Sequence, residues 1–142
     1  MKYRLLCFIL LLGVVVTGCI KSTKNSPAPV FPYGTFSGQF SRYHKSSSTG
    51  KLDSAKANLT LRLNTYTFAV TGDTTTLHAG SHGTFGGNTT YILFNDSTYS
   101  PKSVKQHLNG QYVYSYDGTN LVIAASSGDT LSVDYVLKKT SN

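Results

Sequence analysis

The chain is predicted to fold as a single all-β domain, an up-and-down antiparallel β-barrel of about eight strands, with a β-sandwich as the alternative. Two observations predict this class. Glu, a strong helix former, is absent, so that all 6 acidic residues are Asp, whereas Thr, Tyr, Phe and Val are frequent. In addition, 13 Gly and many Asn, Asp and Ser residues supply turns between short alternating segments.

The N-terminal segment has the features of an export signal. Residues 1–4 carry two positive side chains, residues 5–16 form an apolar run, and Val-Thr-Gly at 16–18 leads to Cys19. This arrangement resembles the lipobox of bacterial lipoprotein signal peptides, which implies cleavage before Cys19 and its lipidation. A transmembrane anchor is the alternative, but the apolar run is about a dozen residues long and a span needs roughly 20.

The lipobox resemblance also implies where the protein is located. Residues 1–18 are a predicted lipoprotein signal peptide, residues 19–32 a flexible tether, and residues 33–142 the folded domain. In the best-known Gram-negative sorting rule, Asp after the lipidated cysteine retains a lipoprotein in the inner membrane, and this chain has Ile20 there. We therefore expect an outer-membrane lipid anchor, with the domain in the cell envelope facing the periplasm.

Charge and cysteine content restrict the partners. The formal net charge is +7, but Lys and Arg are scattered along the chain, so we expect a solvated basic surface and no nucleic-acid partner. Cys7 lies in the predicted leader, so Cys19 is the only cysteine left after cleavage. A disulfide within the mature chain is therefore excluded.

The first half of the domain contains four predicted strands, over residues 33–44, 55–64, 66–72 and 77–85. The first begins where the Pro-rich tether ends. In the second, Leu59, Leu61 and Leu63 alternate with polar residues, which is the pattern of a half-buried strand. In the third, Tyr66, Phe68 and Val70 occupy every second position, and Thr65, Thr67 and Thr71 lie on the other face.

The second half contains four more predicted strands, over residues 89–95, 109–117, 119–127 and 130–139. Residues 91–94 are apolar on both faces, so we expect them to be deeply buried. Asp117-Gly118 is a tight-turn signal after a strand with three tyrosines on one face. Between residues 100 and 110, Ser100-Pro101 is a favoured helix start, and a short helix and an irregular loop are equally compatible with the sequence.

Several short motifs lie between residues 33 and 139. They are Gly34-x-Phe36, Leu-Asn-Gly-x-Tyr at 108–112, Tyr116-Asp117-Gly118 and Tyr135-x-Leu137-Lys138. Together they resemble the small lipocalin-like lipoproteins of Gram-negative bacteria. The resemblance implies an eight-stranded barrel, and a barrel of this size is either filled by side chains or holds one small ligand.

Aromatic residues are the strongest candidates for ligand contacts. A tyrosine offers an apolar ring together with a hydroxyl group for a polar headgroup. The alternative is that the same rings form a filled core or stack across strands. The candidate lining residues are Phe36, Tyr66, Phe68, Tyr91, Tyr112, Tyr114, Tyr116 and Tyr135.

Catalytic and metal-binding patterns are weak. His78 and His82 would share a helix face, but the glycines around them disfavour a helix, and on a strand they would be about 13 Å apart. The Asp residues are expected mostly in turns, Ser81 and His82 are merely adjacent, and no serine lies in a Gly-x-Ser-x-Gly elbow. We therefore expect no enzyme activity, no metal and no cofactor.

Four Asp-Ser/Thr sequences resemble the O-glycosylation signal that one group of Gram-negative bacteria uses on exported proteins. Asp followed by Ser or Thr is also common turn chemistry, which is the competing interpretation. The resemblance implies modification at Ser54, Thr74, Ser97 and Thr130.

The sequence thus supports two function hypotheses of different classes. The first is non-catalytic binding of a small apolar or amphipathic ligand inside the barrel of a membrane-anchored lipoprotein. The alternative is a structural or interaction module of the cell envelope with a filled core. The sequence names neither the ligand nor a protein partner, and the interior volume of the barrel discriminates between the two.

Overall fold

A computed structural model describes residues 31–142, which form eight β-strands. The strands are β1 (Gly34–Lys45), β2 (Leu52–Leu63), β3 (Thr67–Gly72), β4 (His82–Gly87), β5 (Tyr91–Asp96), β6 (Gly110–Tyr116), β7 (Asn120–Ser127) and β8 (Leu131–Ser141). The predicted signal peptide, Cys19 and the tether up to residue 30 lie outside the described residues, so those predictions stay predictions.

The strands form a closed barrel. Each strand pairs antiparallel with the next along the chain, and β1 also pairs antiparallel with β8. The predicted all-β class and the eight-stranded up-and-down barrel are therefore confirmed, and the sheet does not split into a sandwich. Closure removes exposed edge strands, which are templates for unwanted pairing between chains.

One segment differs from the predicted elements, and a second one, for which the sequence allowed a short helix or an irregular loop, is an irregular loop. The fourth strand begins at His82 rather than at residue 77, and residues 73–81 form a loop. Leu77 and His78 are nonetheless buried in that loop, so the segment buries side chains as a strand would. Residues 97–109 are turns and irregular backbone rather than a helix. Residues 31–142 contain no helix that is long and apolar enough to cross a membrane.

Alternate residues of the strands fill the barrel interior. Phe36 and Phe40 of β1, Phe94 of β5 and Tyr135 of β8 are among the largest fully buried side chains. The rings of Phe40 and Tyr135 lie 4.8 Å apart between centroids, and those of Phe68 and Phe94 lie 5.0 Å apart. Such aromatic pairs contribute about 0.5–1.5 kcal/mol beyond area burial. The interior is therefore a packed aromatic core.

Glycine is required at one position where β1 pairs with β8 and at the β6–β7 turn. A Cβ atom on Gly38 would clash with the backbone carbonyl of Val136. Gly118 has a φ of 97°, a conformation that side chains disfavour. The Asp117 carboxylate accepts hydrogen bonds from the Thr119 and Asn120 amides at 2.8 and 2.7 Å. The predicted Asp-Gly turn is confirmed.

The up-and-down topology gives the barrel two distinct ends. We call one the tether end: it holds residue 31, where the described chain begins, and the turns at 64–66, 88–90 and 117–119. We call the other the loop end: it holds the connections at 46–51, 73–81, 97–109 and 128–130. The two long connections, 73–81 and 97–109, are both at the loop end.

Aromatic rings cover the tether end. Phe31 lies 5.4 Å from Tyr33, 5.8 Å from Phe85 and 6.0 Å from Tyr114, measured between ring centroids. Pro32 is fully buried beside them. Phe31 and Pro32 belong to the predicted tether, yet they pack on the barrel, so the folded part of the chain includes residues before Tyr33.

Candidate functional site

The two long connections of the loop end bind to each other and close the mouth of the barrel. His78 and Gln106 form a parallel β-bridge. The Ala79 amide donates to the Gln106 carbonyl at 2.8 Å, and the Gln106 amide donates to the Leu77 carbonyl at 2.9 Å. Leu77 and Leu108, one from each of these loops, are buried. The two loops thus cover part of the loop end, and they carry most of its polar groups.

A histidine and a tyrosine form a buried polar pair in the core. The His78 Nε2 atom lies 2.8 Å from the Tyr135 hydroxyl, and both side chains are almost fully buried. The His78 Nδ1 atom lies 2.5 Å from the Ala79 carbonyl, which can only accept. Nδ1 therefore carries the proton, and Nε2 accepts from the Tyr135 hydroxyl.

Burial keeps both members of this pair neutral. It lowers the pKa of His78 from 6.5 to about 4, although the hydrogen bond to the Ala79 carbonyl acts in the opposite direction. It also raises the pKa of Tyr135 well above its usual value. Within residues 31–142 every buried side-chain nitrogen and oxygen has a hydrogen-bond partner. The pair is therefore a satisfied structural element of the core.

Tyr112 completes this part of the interior. Its ring packs edge-on against Phe94 and Tyr135, at centroid distances of 5.8 and 6.1 Å. Its hydroxyl lies 3.3 Å from the Asn109 carbonyl and 3.4 Å from the His107 carbonyl, and burial raises its pKa. Tyr112 thus connects the core to loop 97–109.

A second polar group lies on the rim of the loop end, where three side chains form a hydrogen-bonded series. The Asp96 Oδ2 atom is 2.7 Å from His107 Nδ1, and His107 Nε2 is 3.1 Å from the Ser103 hydroxyl. The Asp96 side chain is fully buried, His107 is 8% exposed, and Ser103 is exposed. The series therefore runs from a buried carboxylate to a hydroxyl at the surface.

Local hydrogen bonds hold the Asp96 carboxylate in its charged form. Burial alone would raise its pKa, but the net pKa is lowered, because the Thr98 hydroxyl and amide, His107 and Ser81 form hydrogen bonds with it. The two bonds from Thr98 measure 2.6 and 2.8 Å. Asp96 therefore acts as an acceptor, so His107 Nδ1 is the donor and Nε2 is directed at Ser103.

Ser103 lies on the wall of an open cleft at the barrel mouth, with a volume of about 380 Å³. The cleft is bounded by the ends of β1 and β2, by the start of β8 and by loop 97–109. Its lining residues are Arg42, His44, Asp53, Ser103, Val104, Lys105, Gln106 and Leu131. A smaller opening of about 170 Å³ lies next to it between β6 and β7, and Tyr112 forms part of its wall.

The structure divides the predicted lining residues into three groups. Phe36, Phe68, Tyr112 and Tyr135 are buried in the core. Tyr114 and Tyr116 are half-buried near the tether end, with their hydroxyls donating to the carbonyls of Asn88 and Gly118. The remaining two, Tyr66 and Tyr91, are exposed.

The expectation that Tyr66 and Tyr91 line the interior is wrong. Tyr66 is 72% exposed, because β3 begins one residue later and Tyr66 belongs to the turn. In β5, Ile92 and Phe94 point inward, so Tyr91 and Leu93 lie on the outer face. The expected deep burial of all residues 91–94 is wrong for the same reason.

None of the other predicted positions is a member of the hydrogen-bonded series. His78 is in the core and His82 is exposed on β4. Within residues 31–142 no three His, Cys, Asp or Glu side chains are grouped as metal ligands. The four predicted glycosylation residues are all at the loop end, exposed except for the half-buried Thr74; they are Ser54, Thr74, Ser97 and Thr130.

Sequence reasoning missed Asp96, Ser103 and His107 as a group. One local signal was available, because Ser103 and His107 are four residues apart after Ser100-Pro101. That spacing alone does not select Asp96, which belongs to the end of β5, from the other aspartates. The loop has to fold back over its own strand before the three side chains meet.

Comparisons of this chain with protein-family models, with curated proteins and with solved structures found no match. The fold defines the molecule as a closed eight-stranded antiparallel barrel, an architecture consistent with a lipocalin-like fold.

Proposed function

We propose that this protein is a lipid-anchored lipoprotein of the outer membrane, in which a filled barrel serves as a rigid interaction module of the cell envelope. In this proposal the barrel is a scaffold, and the loop end is the surface that meets a partner. The single observation that carries the scaffold role is the packing of the interior. There the Tyr135 ring packs against both the Phe40 ring and the Tyr112 ring.

The positions of the two ends support this arrangement. The described chain begins at the tether end, so a chain anchored through Cys19 would approach the barrel there. The dozen or so residues from Cys19 to Phe31 can span at most about 40 Å when fully extended. The loop end, with its two long connections, would then point away from the membrane.

Ligand binding is the second candidate, and a specific observation favours a location for it. The cleft of about 380 Å³ at the mouth is within the size range of small-molecule sites, and the Tyr112-lined opening adjoins it. Inside the barrel, the faces and edges of the aromatic rings contact one another. A small ligand of this protein would therefore bind at the mouth rather than deep inside the barrel.

Metabolic labelling with a tagged fatty acid tests the anchor. We expect the wild-type protein and the matched control Cys7→Ser to incorporate the label, because Cys7 lies in the predicted leader. Cys19→Ser should incorporate none and should leave the membrane fraction. Label on the Cys19→Ser protein would contradict the proposed anchor.

Native mass spectrometry of the full lipoprotein, released from the membrane in detergent, tests the scaffold role. We expect the mass of the acylated chain alone. A further bound molecule that persists in the variant Tyr112→Phe but is lost on substitution of a cleft residue such as Arg42→Gln would support the mouth site. A bound molecule that survives every substitution at the mouth would contradict the filled-core scaffold.

A further inference from the structure

The Asp96–His107–Ser103 series has the order of groups found in serine hydrolases. In such enzymes a carboxylate orients the imidazole through Nδ1, and Nε2 takes the proton of the serine hydroxyl. Here the carboxylate–Nδ1 distance is 2.7 Å and the Nε2–hydroxyl distance is 3.1 Å. Both are within the range expected for a nucleophile and its base.

The burial of the three side chains decreases from the carboxylate to the serine hydroxyl, as a serine nucleophile that substrate must reach requires. The Asp96 carboxylate is fully buried and its lowered pKa keeps it ionised, whereas Ser103 is exposed in the wall of the cleft. A substrate could therefore reach the hydroxyl without reaching the carboxylate. Tyr99 covers the other side of the imidazole, with its ring edge-on at a centroid distance of 5.6 Å.

The Ser103 side chain takes part in the local fold of the loop as well as in the series. The Lys105 amide donates to the Ser103 hydroxyl at 3.3 Å, and the Lys105 carbonyl is an alternative acceptor for that hydroxyl at 3.3 Å. Backbone bonds also hold the segment, because the Ser103 amide donates to the Ser100 carbonyl and Gln106 is held in the bridge to loop 73–81. These backbone bonds do not need the hydroxyl, so we expect the loop to keep its course in Ser103→Ala.

The residue after the serine offers an oxyanion donor. Val104 is 90% exposed and lines the same cleft, and within residues 31–142 its amide has no hydrogen-bond acceptor. Acyl-transfer enzymes often use the amide that follows the nucleophile to stabilise the developing negative charge.

The charges of the cleft indicate a substrate class. Arg42 and Lys105 contribute two positive charges and Asp53 one negative charge to its lining. The Lys105 ammonium group is held at 3.0 Å from the Thr74 carbonyl. The lining therefore favours a small substrate with an anionic group.

We propose that Ser103 is a catalytic nucleophile and that the cleft at the barrel mouth hydrolyses small carboxylic esters, with a preference for anionic ones. His107 is the general base and Asp96 its positioning residue. This inference goes beyond the scaffold role, which stands on the filled core and does not need it.

The reaction balances with water as the only co-reactant. The Ser103 Oγ attacks the ester carbonyl while its proton moves to His107 Nε2, and the bond from the carbonyl carbon to the alkoxy oxygen breaks. The leaving alcohol takes that proton. Water then attacks the acyl-serine with His107 as base, which releases the carboxylic acid and restores the hydroxyl.

Labelling with a fluorophosphonate probe tests the nucleophile on the full lipoprotein in detergent. We expect peptide mass spectrometry to find the adduct on Ser103, and para-nitrophenyl acetate to be hydrolysed. Ser103→Ala should abolish the adduct and lower the hydrolysis rate at least tenfold, consistent with the contribution of a base-activated group. The matched control Ser100→Ala, an exposed serine of the same loop, should leave both unchanged.

Further variants test the roles behind the serine. His107→Gln should lower the rate of labelling at Ser103 at least tenfold, which is the same factor that we expect for ester hydrolysis in Ser103→Ala. Asp96→Asn should lower the labelling rate less, because the imidazole loses the carboxylate that orients it through Nδ1, and Asp96→Glu, which keeps a carboxylate, should restore part of the rate. Arg42→Gln should lower the ratio of the hydrolysis rate of a carboxylated nitrophenyl acetate to that of para-nitrophenyl acetate by about threefold or more, as the loss of a rim charge of about 0.7 kcal/mol would.

The proposal is overturned if the probe labels Ser103 no faster than Ser100, or if Ser103→Ala hydrolyses the ester at the wild-type rate. Near-UV circular dichroism checks folding. If His107→Gln or Asp96→Asn fails to fold, Ser103→Ala and Ser103→Cys still decide whether Ser103 is the nucleophile, because they change only an exposed side chain. If Ser103 is neither labelled nor needed for hydrolysis, the series only stabilises the conformation of loop 97–109. The scaffold proposal would be unaffected by that result.

Discussion

The tether end and the loop end close the same filled barrel with different chemistry. At the tether end, Phe31, Tyr33, Phe85 and Tyr114 form an aromatic cover. At the loop end, two long loops cover the mouth and bring polar side chains into buried positions, with His78 in the core and Asp96 on the rim. Apolar packing tolerates small shifts, whereas buried hydrogen bonds require fixed geometry and fixed protonation.

Under the two proposals made above, this difference separates anchoring from chemistry within one small fold. The aromatic cover contains no carboxylate and no histidine, so its stability should not depend on pH between about 4 and 7. The loop end holds its groups at set distances, which is a requirement for directional chemistry and a source of sensitivity to acid. We therefore expect the stability contributed by the tether end to be independent of pH and that contributed by the loop end to decrease in acid.

The largest effect is expected from removal of a tether-end ring. Phe85 is 6% exposed and lies within 6.0 Å of Phe94 and 5.8 Å of Phe31 between ring centroids. Phe85→Ala should lower the free energy of unfolding by about 3–5 kcal/mol, because a cavity replaces a buried ring. Urea unfolding at neutral and mildly acidic pH should give the same loss. The matched control Tyr66→Ala, at a 72% exposed ring, should change it by no more than about 0.5 kcal/mol.

The next effect belongs to the loop end and depends on pH. Burial lowers the pKa of His78 from 6.5 to about 4. Between these values the unfolded chain binds a proton that the folded chain does not, so stability is fully present above pH 6.5 and decreases as the pH falls toward 4. The decrease should reach about 3 kcal/mol. Urea unfolding across this range measures it.

The control for this pH dependence removes the polar pair without leaving an unpaired group. In the double variant His78→Leu with Tyr135→Phe, the stability lost between pH 6.5 and 4 should shrink by most of the His78 contribution. Phe85→Ala should retain the full dependence. An unchanged slope in the double variant would assign the acid sensitivity to other groups and contradict the comparison of the two ends.

A smaller loss is expected from the core hydroxyl alone. Tyr135→Phe leaves His78 Nε2 buried without its donor, which should lower the free energy of unfolding by about 1–3 kcal/mol at pH 7. Tyr114→Phe is the matched tether-end change, because it removes one hydroxyl bonded at 2.7 Å to the exposed Asn88 carbonyl. It should cost less than about 1 kcal/mol. Equal losses at the two sites would argue against a special role of burial at the loop end.

Much of the fold could be predicted from the sequence because strand formation is a local property. Alternation at Leu59, Leu61 and Leu63 and the turn at Asp117-Gly118 depend on neighbouring residues, and both are confirmed. Where local information is ambiguous, the prediction failed. Residues 91–94 are apolar at every position, and only packing against the rest of the barrel selects Ile92 and Phe94 for the interior.

The candidate site was less accessible to sequence reasoning because its contacts form only when irregular loops fold onto the barrel. His78 bonds to Tyr135, which lies 57 residues away, and a loop without regular structure carries His107 to Asp96. Neither periodicity nor turn chemistry specifies such pairs. The expectation of no enzyme activity depended on the absence of a visible motif, and that reasoning does not extend to a group that forms only in the folded chain.

The smallest effect concerns the residue where the described chain enters the barrel. Phe31 is half-buried and contacts three rings, so Phe31→Ala should lower the free energy of unfolding by about 1 kcal/mol, with no dependence on pH. Leu52→Ala, at a 62% exposed side chain of the loop end, is the control and should be nearly neutral. If urea unfolding shows no loss for Phe31→Ala, the aromatic cover does not include the entering segment. The reach of the proposed tether would then increase by the residues that are released, and the loop end could lie farther from the proposed anchor.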